Sequence, residues 1–490
     1  MATHSILNVL FVFVPIAWVG HFLGEHTFGP AAQFTLSFLA IIPLEHMFDM
    51  LAESMVPYIG AELGDLLECT LNNAVEAALA IFLLVKDRYR LLQTTIIGVV
   101  LLHLLLIPGV AFMSGGARVM EQDLHAGSTE LNHSLLTLGV MAIVLPAAFF
   151  AALDRGTLSD LTSYAIRLNA NSPRPSEEHG TEPTAAEGSQ ASETTSAIAE
   201  AATAAAEHVV RALGRIVRRA EEHDEDPQQF VREHFEFAGL LTDKRREHFL
   251  HFSRGIAILL LMCYVASRIY LHNPPGQGNA LQMNKNTSDA VKEKAKRKEN
   301  RDPEVNPWVG AIAIVICIAL MAVTAEWLVD SIEPLQIQSG IAQEWFGLFL
   351  LPIISWAADG LITLVFFAGR ILRRKTQVPE SVASSLAIDL SIQFLLFWMP
   401  FLILIAWWTS KPFTLLFDLL EIVMLVAACF LVNFVTADAK TNWAEGSVMV
   451  AFYIMISVVS WFYPGQPEVR IFNGRLTIAE ALVQGPSVEG

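Results

Sequence analysis

Cysteine is scarce in this chain, 4 of 490 residues, and Cys69, Cys263, Cys317 and Cys429 all fall inside apolar runs. That excludes a disulfide framework and a Cys-x-x-Cys metal site. Charge is scarce as well: Asp, Glu, Lys and Arg make up 17% of the residues, against about 25% in soluble domains. The sequence has no phosphate-binding glycine loop and no ordered nucleophile and base, which argues against an ATPase and against a hydrolytic enzyme. It lacks the basic n-region and small-residue cleavage site of a signal peptide, so its first apolar run is expected to remain as a helix. Many of the acids behind the net charge of −17 lie in one hydrophilic insertion and around helix ends, so the charge says little about partners. Neither a nucleic-acid partner nor a resident cofactor is expected.

What the chain has in abundance is apolar sequence, 53% of its residues. Runs of the length needed to cross about 30 Å of hydrocarbon occur at Ser5–Leu23, Phe34–Met55, Leu66–Val85, Leu92–Met113, Ser134–Leu153, Gly255–Ile269, Trp308–Val329, Trp345–Ala368, Leu386–Trp408, Phe413–Val435 and Ala444–Tyr463. A backbone inside lipid must satisfy its own hydrogen bonds, so these runs predict an all-α polytopic membrane protein with about eleven transmembrane helices. The lipid bilayer is its expected surrounding.

Within that apolar background, LLECTLNNAVEAALAIFLLV places Glu76 mid-span. A carboxylate at that depth is disfavoured by at least roughly 2.5 kcal/mol, so it is expected to face a wet or protein-lined interior and to have a task there. Glu68, Asn72 and Glu76, four residues apart, predict a polar stripe on one helical face.

The organisation expected is a first transmembrane block over 1–153, a hydrophilic and partly disordered insertion over 154–254, one further helix over 255–271, a basic loop over 272–307, a second transmembrane block over 308–463 and a tail over 464–490. The insertion is rich in Ser, Thr, Pro, Ala, Gly and Glu, a composition that buries too little apolar surface to fold alone. Basic residues of the 272–307 loop, with Arg370, Arg373, Arg374, Lys375 and Lys440, favour a cytosolic N-terminus. Lys86, Arg88 and Arg90, read as loop charges, fall on the opposite side.

The two halves share a pattern. LPIISWAADGLITLVFFAG places Asp359 in a context that mirrors Glu76, and each acidic helix precedes a long apolar one, with His103 in the first half and Asp389 and Gln393 in the second. Five helices per half would insert in opposite orientations, giving one leading helix plus two inverted five-helix repeats, the arrangement of a secondary transporter.

Several stretches resemble the calcium/proton exchangers of the cation exchanger superfamily, vacuolar type: LFVFVPIAW, SFLAIIPL, NNAVEA, LLHLLLIPGVAFMSGG, LNHSLLTLGVMAIVLPAAF, AEWLVDSIEPLQIQSGIAQEWFGLFLLPI, SIQFLLF, FDLLE and DAKTNWAEG. The resemblance implies an antiporter of an acidic-compartment membrane that exchanges a divalent cation, foremost calcium, for protons at a pair of elements, Gly-Asn-Ala-Thr-Glu and Gly-Asn-Ala-Ala-Glu-His. Matched by position, Glu76 keeps the first glutamate and Asn73 the asparagine. The second element is altered: Ser355, Trp356, Asp359 and Gly360 stand for Gly, Asn, Glu and His. In the supporting helices, Leu102 with His103 replaces Ser-Asn, and Asp389 with Leu390 replaces Gly-Ser. The resemblance thus implies a site of Glu76, Asp359, Asn73, Asp389, Gln393, Ser391 and His103, with proton coupling at Glu76 and Asp359. Glu53 and Glu326 are gating or access candidates. Glu421 and Glu445 match further polar positions of the family.

Calcium takes six to eight oxygens at about 2.3–2.6 Å, and Trp356 supplies none. His103 is either an imidazole ligand that favours zinc or manganese or a neutral replacement for Asn. The rival to exchange is a diverged, non-transporting membrane regulator acting through its insertion.

Overall fold

The structure is a computed structural model that describes residues 9–23, 29–116, 122–123, 126–153, 243–272, 306–357, 360, 386–438 and 440–474. Two compact units are distinguished, one chiefly of Met1–Ala148 and Phe249–Arg475, the other of Phe149–His248 and Leu476–Glu489. Of the second, the described residues are a helix end and Leu153 (149–153) and a helix start (243–248). The first contains everything discussed below. The predicted insertion and basic loop lie largely outside the described residues.

The first unit is helical because its apolar runs leave the backbone no other partners. Helix α1 (Leu10–Leu23) precedes α2 (Pro30–Ile59), which opens with Pro at its first position, where a missing N–H is harmless. Next come α3 (Ala61–Asn72) and α4 (Ala74–Val85), then α5, composed of Tyr89–Leu101, a π turn over Leu102–Leu106, and Ile107–Gly116. Helices α6 (Ala126–Ala152), α7 (Asp243–His272) and α8 (Pro307–Ser339) follow. Helix α9 begins at Gln343–Trp345, runs through a π turn at Phe346–Leu350 and continues over 351–357. Helix α10 repeats the plan of α5: Leu386–Gln393, a π turn at Phe394–Trp398, and Met399–Trp408. The chain closes with α11 (Leu419–Val435), α12 (Trp443–Trp461) and the short α13 (Pro467–Phe472). Strands β1 (Gln122–Asp123) and β2 (Lys440–Thr441) pair antiparallel, Gln122 opposite Thr441.

Seven of these helices are long and apolar enough to cross a membrane, and the bent α3–α4 pair makes an eighth. Helices α1 and α11 are shorter apolar helices. The predicted run Trp345–Ala368 is described as a helix only up to 357, so the expected count of eleven is not closed by the described residues.

Helix α5 is central: every residue of Tyr89–Leu101 is buried. Two glycine crossings hold it close to its neighbours. A Cβ on Gly98 would meet the Leu348 carbonyl oxygen and lie 2.8 Å from that of Gly347, while one on Gly347 would meet Thr94 Oγ1. Further along, a Cβ on Gly446 of α12 would lie 2.6 Å from the Gly109 carbonyl oxygen. Such small residues let backbones approach in a setting where lipid gives helices little hydrophobic reason to associate.

Three expectations change. The Leu66–Val85 run is broken at Asn73, with a 50° bend between α3 and α4, so the Glu68–Asn72–Glu76 stripe does not continue along one helix. The run expected at Gly255–Ile269 belongs to a helix that starts at Asp243, since DKRREHF extends the same helical ladder through polar sequence. The run expected from Phe413 turns helical only at Leu419, where the Asp418 carboxylate accepts the Leu420 N–H at 2.9 Å and caps the first turn.

Candidate functional site

The break at Asn73 creates the site. Asn73 takes φ −92° and ψ 4° between the two helices, and Glu76 follows in the first turn of α4, where the positive end of the helix dipole favours a carboxylate. Both side chains are withdrawn from solvent, Asn73 at 0% and Glu76 at 2% exposure. Asn73 Nδ2 donates to Gln393 Oε1 at 2.7 Å and to the Leu390 carbonyl at 3.3 Å, which ties the break to α10. Gln393 Nε2 in turn donates to Thr70 Oγ1 and to the Tyr264 hydroxyl, each at 3.0 Å.

His103, from the π turn of α5, brings Nε2 to 3.6 Å from Glu76 Oε1. That is beyond hydrogen-bond range. It is close to the separation of about 3.4 Å between two donors that share one tetrahedral ion at about 2.1 Å. Among the described residues His103 Nδ1, Asn73 Oδ1 and Asn132 Oδ1 are buried without a hydrogen-bond partner. The α10 π turn starts directly after Gln393, so a widened turn flanks the cluster on both α5 and α10. π turns inside α-helices frequently mark functional sites, because they re-aim side chains and free backbone carbonyls.

The structure thus joins Glu76, Asn73, His103 and Gln393 in one cluster. Ser391 is buried on α10 and its hydroxyl donates to the Ala387 carbonyl at 3.3 Å. Asp389, half-buried, accepts from Asn132 Nδ2 at 2.8 Å through Oδ1. Asp359 lies outside the described residues. Trp356 packs its indole on Gly360, where a Cβ would lie 3.0 Å from the ring, so apolar surface occupies this part of the altered second element. Glu53 is exposed on α2, and Glu326 on α8 faces the Lys86 ammonium at 3.7 Å. No group of three or more His, Cys, Asp or Glu side chains suited to a metal occurs among the described residues.

Sequence reasoning missed Thr70, Tyr264 and Asn132, since a hydroxyl or amide in a membrane helix carries no special signal until its neighbours are known. It also missed Glu45 and His46 inside α2, half-buried and buried respectively, although both stand in an apolar run as Glu76 does.

The larger omission is a second cluster. Arg90, read as a loop charge, is instead 3% exposed at the start of α5. Its guanidinium lies 2.6 Å from Glu421 Oε1, 3.5 Å from Asp418 Oδ2 and 3.7 Å from Glu344 Oε1, all three acids being at most 1% exposed. Arg470 of α13 adds a 2.5 Å contact to Glu344. Asp418 also accepts the Tyr463 hydroxyl at 2.8 Å and the Gln466 N–H at 2.8 Å. Tyr463, beyond the end of α12, is pushed well above the ordinary phenol value, first by burial and then by the Asp418 carboxylate its hydroxyl faces. Glu421 therefore serves an ion pair, and Glu445 closes a capping box with Asn442 at the start of α12.

A polytopic bundle with a buried carboxylate at a helix break and polar groups converging from α5, α7 and α10 defines a membrane transporter of the ion-exchanger class. In keeping with this, residues 309–462 match the sequence model of the sodium/calcium exchanger protein family. A vacuolar calcium ion transporter of Cryptococcus neoformans var. grubii is 30% identical, covering 96% of this chain and 76% of the relative. A Ca(2+)/H(+) antiporter of Aphanothece halophytica is 24% identical over 95% of this chain and 99% of its own. The chain belongs to the calcium/proton exchanger family. Its fold is similar to that of native YfkE, with a TM-score of 0.57 at 18% identity, covering 93% of this chain and 100% of that one.

Proposed function

We propose that this protein exchanges calcium for protons across a vacuolar or similar acidic-compartment membrane, by alternating access at intramembrane carboxylates. One observation carries the proposal: Glu76, at 2% exposure, stands at the bent junction of α3 and α4, and the Asn73 amide oxygen three residues before it has no hydrogen-bond partner among the described residues. The names of the relatives, a vacuolar calcium ion transporter and a Ca(2+)/H(+) antiporter, support the choice of cargo.

The mechanism is competition for negative charge. Facing the cytosol, Glu76 and Asp359 release protons and take the cation, with Asn73 Oδ1 and backbone carbonyls at the helix break as further oxygens. Gln393, Ser391 and Asp389 on α10 border this site, and Glu53 and Glu326 stand on the access route along α2 and α8. Facing the acidic lumen, the carboxylates bind protons and the cation leaves. The proton gradient is the energy source, so the protein is a carrier with ion substrates and needs no resident cofactor or catalytic chemistry. In this reading the leading helix and two five-helix repeats form the transport body, and the 154–254 insertion and 272–307 loop stand outside it.

A second reading concerns the ion. The 3.6 Å gap between His103 and Glu76 favours a site that also takes zinc, because imidazole suits zinc better than calcium, while manganese shares calcium's preference for the oxygens around it.

The test is uptake of calcium, manganese and zinc into proteoliposomes under an imposed proton gradient, with and without a protonophore. Gradient-dependent calcium uptake is expected. Absence of flux for all three ions, from protein shown to be folded and inserted, would replace the exchanger reading with that of a non-transporting membrane partner.

A further inference from the structure

The hydrogen bonds behind Asn73 have a direction, and the direction is set two residues away from the ion. The Thr70 hydroxyl donates its proton to the Leu66 carbonyl at 2.8 Å, so its oxygen is left only as an acceptor. The Gln393 amide must therefore turn its NH2 toward Thr70, and the second N–H goes to the Tyr264 hydroxyl oxygen. With both donors committed, Gln393 presents Oε1 to Asn73, which can meet it only with Nδ2, at 2.7 Å. The remaining Nδ2 hydrogen goes to the Leu390 carbonyl. The outcome is an Asn73 side chain whose carbonyl oxygen is buried and without a partner among the described residues, three positions before Glu76.

The opposite polarity would be harmful. If Gln393 were reversed, its NH2 would face the Asn73 NH2, and Asn73 would have to rotate in turn and offer N–H donors where a cation needs an oxygen.

We infer that Thr70 on α3 and Tyr264 on α7 are positioning residues, which fix the polarity of the Gln393–Asn73 amide pair and so hold the Asn73 oxygen as a cation ligand. Neither touches the ion. The inference rests on the exchange-site reading of Asn73 and Glu76. It adds α7, the helix that follows the long insertion, to the elements on which ion affinity depends. The Arg268 guanidinium, 4.8 Å from the Tyr264 ring centre, packs on the ring and helps hold it in place.

The experiment is calorimetric titration of the full chain in detergent with calcium chloride, for wild type, Thr70→Val, Tyr264→Phe, the double variant, and each change combined with Gln393→Ala. Outer-shell partners of metal ligands are worth about 10–100-fold in affinity, so the double variant is expected to bind calcium at least about tenfold more weakly. In the Gln393→Ala background the same changes are expected to shift affinity by less than about twofold, because the relay they act through is gone. General damage to packing would persist in that background. Wild-type affinity in the double variant, or an undiminished loss in the Gln393→Ala background, overturns the relay. Absence of calcium binding by folded wild type would overturn the ion site itself, and the relay with it.

Discussion

Around Arg90, three carboxylates at most 1% exposed face a guanidinium that is itself 3% exposed. Around Glu76, a carboxylate of similar burial, the structure gathers amides, hydroxyls and an imidazole: Asn73, Gln393, Thr70, Tyr264 and His103. The first cluster sets its acids against two arginines, Arg90 and Arg470. It joins α5, α9, α11 and α13, and Asp418 alone accepts from an arginine, a tyrosine, and the backbone N–H groups of Leu420 and Gln466. The second sets amide and hydroxyl groups beside a buried carboxylate at a helix break. Buried acid thus fastens helices in one place, and in the other is proposed to hold an exchangeable cation or proton.

That contrast is sharpest for charge removal. Glu76→Gln is expected to lower gradient-driven calcium uptake at least about a hundredfold while the thermal unfolding midpoint stays within a few degrees, since an amide of the same shape fills the place of the carboxylate without its cost of burial. Loss of fold in this variant would erase the distinction. Arg90→Ala is expected to do the reverse. It takes from Glu421 its buried cation and leaves Asp418 and Glu344 with only their remaining partners, and should destabilise the protein by about 3–5 kcal/mol, read as a lowered unfolding midpoint and poor recovery of monodisperse protein.

The same comparison explains what could be read in advance. The apolar runs were legible because lipid imposes a length and leaves a helix as the only way to satisfy each backbone. Glu76 stood out because an acid amid AVEAALAIFLLV is costly at membrane depth unless it faces a protein interior, and the fold buries it at a helix break. Arg90 did not, since it follows Lys86 and Arg88 and looks like the third member of a loop cluster. In the fold those two lie outside it: Lys86 bonds Asp330 at 2.6 Å and Arg88 pairs with Glu333 on α8. The break at Asn73 carries no Gly or Pro to announce it, and the π turns at Leu102–Leu106 and Phe394–Trp398 depend on packing that no periodicity records. Asp359, the acid that mirrors Glu76 in the sequence, lies outside the described residues.

Smaller effects probe the frame that carries both clusters. Gly446→Val would drive a side chain against the Gly109 carbonyl and the Met113 N–H, at 2.6 and 2.8 Å from the new Cβ. Backbone cannot step aside as a flexible side chain does, so a loss of about 2–3 kcal/mol is expected, checked by thermal unfolding in detergent. Lys86→Ala removes a partly exposed pair with Asp330 and should change stability by less than about 1 kcal/mol. Any marked fall in calcium uptake in this variant would point to the Glu326 side of α8 as part of the access route and not merely its surface.

The central claim is that calcium and protons exchange through Glu76. Its most direct measurement is simultaneous recording of calcium uptake and internal pH in proteoliposomes with an acidic interior. External calcium is expected to enter while the interior becomes more alkaline, both signals vanishing together in Glu76→Gln. Calcium entry without the pH change, or both signals intact in that variant, would contradict the account.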